Sequence, residues 1–163
     1  MKRAPGWILA AFIFSLLLPA ASTAQTEETL YLVAAKDSRV KAQKWIDFLS
    51  AYDQPVEHYV LSELDQVKNH DFIAIAGGLN ETGFRDLLKG VIGEAEVASL
   101  ETGGAKKMFL KENVWKPGQK VLVFVGENPD EAAAARSESR DTWMEWIQEW
   151  FDLEEIPGGL KAY

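Results

Sequence analysis

The chain has 163 residues, a formal net charge of -8 and no cysteine. That acidic balance disfavours DNA, RNA and anionic lipid as partners. The missing cysteine excludes disulfides, a thiol nucleophile and a cysteine-linked lipid anchor, so burial must do the stabilising.

The chain opens as a secretory signal peptide. Lys2 and Arg3 form a basic start, residues 7–18 an apolar core, and residues 19–24 a run of small residues suited to cleavage after Ala24. The apolar run is short for a membrane span, which needs about 20 residues. Lys2 and Arg3 are the only charges in this segment, so its removal takes the net charge from -8 to -10. Residues 25–163 then have the size of one domain, with no transmembrane segment expected in it.

After a polar lead-in, Leu30–Ala34 reads as a short apolar strand. Asp37 or Ser38 is placed to cap a helix reaching about Tyr52, with Ala42, Trp45, Ile46, Leu49 and Tyr52 along its buried stripe. Residues 56–61 read as a second strand whose weak alternation suits a position near the sheet edge. Ser62 and Asp65 resemble a capping box opening a short helix through Val67. Residues 72–76 form a buried strand, Gly77-Gly78 a turn, and a helix carrying Phe84, Leu87, Leu88 and Val91 follows until Gly93. Residues 94–104 are ambiguous, Val97 and Leu100 suiting one more helical turn and residues 102–104 a loop.

The second half is organised around residues 120–135. A strand at 107–113 and the turn Lys116-Pro117-Gly118 precede Val121-Leu122-Val123-Phe124-Val125, an unbroken β-branched-rich run suited to burial on both faces. So short a connection predicts antiparallel pairing of these two strands. Asn128 is an N-cap, Pro129 fits the first helical position, and Asp130 and Glu131 complement the helix start. The spacing predicts one helix over 129–151, with 152–163 a loose tail. These elements predict a three-layer α/β sandwich, a mostly parallel sheet with one antiparallel strand. The strand ends near Ala34, Gly77 and Gly126 should then share the edge where such folds bind ligands.

No catalytic constellation stands out. Gly77, Gly78 and Gly83 fit neither a phosphate loop nor the dinucleotide fingerprint, so the Gly77-Gly78 turn reads first as structural and second as an anion cradle. His58 and His70 lack metal-ligand spacing. There is no nucleophile elbow, and Ser137 and Ser139 sit in a polar helical stretch. Glu94/Glu96 and Asp130/Glu131 are carboxylate pairs better explained by exposure and helix position. No catalytic residue, cofactor or metal is expected. Trp45, Trp143 and Trp150 read as core, while Trp115, beside the Lys116 turn, and Trp146, at the side of the last helix's stripe, are candidates to stack on a sugar or anchor a partner.

Two stretches carry a resemblance. Residues 72–80 (FIAIAGGLN) and 111–126 (KENVWKPGQKVLVFVG) resemble a small α/β domain of surface-layer and other cell-envelope proteins, over about half of the mature chain. Val114 stands where that pattern often has proline. The resemblance implies an exported, non-catalytic domain for surface structure or recognition, with an envelope protein or glycan as partner. The candidate site from strand-end topology is Gly77, Gly78, Asn80, Trp115, Glu127 and Asn128, with Trp146 as a separate partner contact. The alternative is an exported hydrolase or its accessory domain, which would show a concave acidic pocket at the strand ends.

Overall fold

A computed structural model describes residues 29–51, 54–101 and 106–152. The expected signal peptide and residues 153–163 of the expected tail lie outside the described residues. Five strands form one sheet in the order β2-β1-β3-β5-β4, with β1 Leu30–Ala34, β2 Val56–Val60, β3 Phe72–Gly78, β4 Lys107–Glu112 and β5 Lys120–Gly126. The first three and β5 run parallel; β4 pairs antiparallel with β5, Lys107 opposite Val125 and Glu112 opposite Lys120. Helices cover both faces, so the expected three-layer α/β sandwich is the architecture of the chain.

Alternation along the strands divides the core. Leu30, Leu32, Ala74, Ala76, Leu122 and Phe124 face α1 (Lys36–Ser50) and α6 (Arg140–Phe151), against Trp45, Trp143 and Trp150. These three tryptophans are 3–6% exposed, as expected of core residues. Trp45 meets Phe124 and Trp143 edge-on, at 5.3 and 5.5 Å between centroids. On the other face Val33, Ile73, Ile75, Val121, Val123 and Val125 pack against α2 (Leu64–Val67), α3 (Phe84–Val91) and α4 (Glu94–Glu101).

Several local expectations change. Strand β2 ends at Val60; Leu61 opens a 3₁₀ turn, Leu61–Glu63, and the side chain closing it is Glu63, whose carboxylate accepts the Val60 N–H at 3.0 Å, rather than the Ser62/Asp65 box. Of the ambiguous stretch, residues 94–101 are helix, and the loop expected at 102–104 lies outside the described residues. The expected last helix is two: α5, Pro129–Glu138, and α6, separated at Ser139. There the Arg136 carbonyl receives the Trp143 indole N–H at 2.8 Å, and the Ser139 hydroxyl bonds back to Ala135 O at 2.6 Å. Both side chains compete with the backbone ladder, which turns the chain at the break. A further change is the start of α1, where Asp37 and Ser38 lie inside the first turn and neither side chain caps it.

Strand β2 is an edge strand, as its weak alternation suggested, and His58 sits in it with Nε2 buried and, among the described residues, without a hydrogen-bond partner. Burial first, then the charge of Arg39, lowers the His58 pKa from the usual 6.5. The fold therefore holds the imidazole neutral while the unfolded chain takes up a proton, so this contribution falls as the pH drops below about 6.5. Urea melts at pH 7 and pH 5 should show the stability difference between wild type and His58→Gln moving against wild type at the lower pH. A pH-independent difference would contradict this assignment.

Candidate functional site

The sheet's order reverses between β1 and β3, whose following helices lead to opposite sides. Loops at such a switch point separate and leave a crevice at the strand ends. Here the crevice mouth is bridged by Glu81. One carboxylate oxygen accepts the N–H groups of Asp37 and Ser38, at 3.0 and 3.1 Å. The other accepts the Ser38 hydroxyl at 2.6 Å and the Gly78 N–H at 2.7 Å. A side chain more than forty residues away in sequence thus supplies the missing α1 cap, satisfying first-turn donors and complementing the helix dipole.

Gly77 and Gly78 do not form the expected turn: they are the last two residues of β3, in register with Val125 and Gly126 of β5, and the clamp decides what they do. A β-carbon on Gly78 would lie 2.5 Å from Asn128 Cα, and one on Gly77 2.5 Å from the buried Phe84 ring. Both glycines permit close packing, and the Gly78 N–H already serves Glu81, which favours the structural reading over an anion cradle. Beside them the β3 chain continues along β5, with Leu79 N–H to Gly126 O and Asn80 N–H to Glu127 O at 2.9 and 3.0 Å. Asn128 caps α5 as expected, its Oδ1 accepting from Asp130 and Glu131 N–H. Glu127, Asn128, Gly77 and Gly78 are therefore brought together as a packed corner.

From that corner a groove of about 920 Å³ extends over the α2/α3 face of the sheet. Leu61 and Leu64 form one wall; Gly83 at the N-cap of α3 and Leu87, Gly90 and Val91 on it form the other. Asn80, Thr82 and Lys36 stand at the strand-end mouth, Lys68 and Trp115 towards the opposite end. A β-carbon at Gly90 would meet nothing within 4 Å, so this helical glycine opens the wall. The groove exists because the β2–β3 crossover is only a 3₁₀ turn and one α-turn long, too short to cover the sheet beside α3.

Trp115 lies away from the expected strand-end edge, since it sits in the β4–β5 loop near the starts of β3 and β5. Its loop is firmly held. The fully buried Gln119 side chain accepts the Trp115 N–H at 3.0 Å and donates to Lys68 O and His70 O, both at 2.8 Å. Asn113, at φ 57°, accepts the Gly118 N–H, and Lys116 reaches Asn69 O and Asp71. Lys68 Nζ stands 5.8 Å from the Trp115 ring centroid. Asn80 and Trp115 thus belong to one groove, at its two ends. Trp146 does not join them; it packs half-buried against the α1/α6 core on the other face.

Of the groove's three acids, Asp37, Glu81 and Asp86, Glu81 is occupied by four donors and Asp86 lies 3.7 Å from Lys89. Among the described residues no cluster of three or more His, Asp or Glu side chains is arranged to hold a metal ion. The arrangement offers apolar walls, an ordered indole and hydroxyl, amide and ammonium groups at the rim, which is equipment for binding. No protein-family model, curated protein or solved structure matches the chain.

Proposed function

We propose that the chain is an exported, non-catalytic binding module of the cell envelope, holding an envelope protein or glycan in the groove between α2 and α3. The observation that carries this reading is the groove itself, with Asn80 and the tethered Trp115 at its ends. A half-buried tryptophan whose loop is fixed in advance contributes contact area at little entropic cost. The N-terminal basic and apolar segment supports export, and the resemblance of residues 72–80 and 111–126 to surface-layer domains supports an envelope setting. The acids at the mouth also fit an exported hydrolase, but Glu81 is committed to four hydrogen bonds that hold the fold together.

Residues 25–163, immobilised and exposed to the solubilised envelope fraction of the producing cells, should retain a component that the double variant Asn80→Ala/Trp115→Ala releases. With the variant's circular dichroism and melting intact, unchanged retention would overturn the assignment of the groove.

A further inference from the structure

The sheet has two edges, and they are finished differently. In β2, Pro55 O accepts the Leu30 N–H, so Val56, His58 and Val60 direct their peptide groups outwards. The Val60 N–H is then capped by Glu63, which shortens an already short edge. In β4 the Asn113 N–H bonds to Gln119 O in β5 register, which places the peptide groups of Met108, Leu110 and Glu112 on the outer side. No described residue bonds to these three, and the strand has neither proline nor a positive φ.

Lysines often protect such an edge by projecting across it. Here both are drawn back over α4: Lys107 Nζ lies 3.5 Å from Ser99 Oγ, and Lys111 Nζ 3.8 Å from Glu96 and 5.8 Å from the Phe109 centroid. Met108, Phe109 and Leu110 are only half-buried, each on its own core face. Among the described residues the edge is therefore unpaired and partly apolar.

We propose that β4 pairs antiparallel with β4 of a second copy of this chain, joining two sheets across a two-fold axis at Leu110. Such an axis, perpendicular to the sheet, keeps like faces together and sets Leu110 opposite its own copy and Met108 opposite Glu112. Every outward N–H and C=O then finds a partner. Phe109 falls opposite Lys111 of the second copy on the α4 face, where each lysine already lies over the Phe109 ring of its own chain, so the two lysine–aromatic pairs adjoin across the axis. Slipping the register by two residues, centred on Phe109, sets Lys107 against Lys111, so like charges select the Leu110-centred register.

Sedimentation equilibrium of residues 25–163, from micromolar to millimolar protein, tests this directly. Wild type should approach twice the monomer mass. Met108→Pro and Glu112→Pro each remove an outward donor without touching the β5 ladder, a substitution that edge strands tolerate. Each should weaken association by at least about tenfold, since it deletes a hydrogen bond at both ends of the symmetric pair. Using two variants guards against one failing to fold. A wild type that stays monomeric throughout the range, or a dimer unaffected by both prolines, overturns the proposal. A wild-type monomer whose mass rises only when another envelope protein is added overturns it too, in favour of a foreign strand.

Discussion

Replacing Glu81 by Ala should lower unfolding stability by about 3 kcal/mol and the melting temperature by roughly 10 °C. Four donors lose their acceptor together: the N–H groups of Asp37, Ser38 and Gly78 and the Ser38 hydroxyl. Ser38 is only 3% exposed, so its groups cannot all be rehydrated in place. The first turn of α1 also loses the negative charge at its positive end. Glu81→Gln keeps one carbonyl oxygen but turns an amide N–H₂ towards the donors that the second oxygen served, so most of the loss should remain. Denaturant melts of the three proteins decide this. An Ala variant within about 0.5 kcal/mol of wild type, the usual range for an ordinary surface change, would show that the clamp carries no energy.

The second large effect is steric. A β-carbon on Gly126 would lie 2.7 Å from Glu131 C and 2.8 Å from Ala132 N, both backbone atoms of α5. Neither can rotate aside, so α5 must lift from β5, and Gly126→Ala should cost more than about 3 kcal/mol or prevent folding. Gly90→Ala supplies the contrast within the same chain. Its β-carbon meets nothing within 4 Å and its backbone is helical. Reduced freedom of the unfolded chain should therefore raise stability by about 0.5–1 kcal/mol. Equal losses for both variants would contradict the assignment of Gly126 to packing and of Gly90 to the groove wall.

These glycines also mark what was legible in the sequence. Runs such as Val121–Val125 and the Asn128-Pro129 helix start announce themselves through local chemistry, and both stand as read. The edge position of β2 and the antiparallel pairing of β4 with β5 followed from weak alternation and a short connection. Glu81 was not legible, because its role arises from bonds spanning 43 and 44 residues and no local pattern distinguishes it from a surface acid. The break at Ser139 was hidden for a related reason: the helical period continues through it, while the Trp143 indole competes for the Arg136 carbonyl only in three dimensions.

The candidate site divides along the same line. Strand topology placed Gly77, Gly78, Asn80, Glu127 and Asn128 together, as the fold has them. It placed Trp115 with them as well, although the β4–β5 loop lies at the opposite end of the sheet. What reunites Trp115 with Asn80 is the groove, which depends on how little of the sheet a short crossover covers. The groove wall has a sequence signal of its own: Gly83, just before α3, and Leu87, Gly90 and Val91 within it recur at helical spacing, a stripe with little side-chain bulk at two of its positions.

Binding by this chain centres on the groove, and filling it is the most direct test. Gly90→Trp puts an indole into open space on α3, so the variant should fold while its groove is blocked. Light scattering would give the molar mass of residues 25–163 alone and after mixing with the solubilised envelope fraction, for wild type and variant. Wild type should shift into a larger complex while folded Gly90→Trp keeps its own mass. A wild type that ignores the envelope fraction, or a Gly90→Trp protein that shifts equally, would contradict binding by the groove.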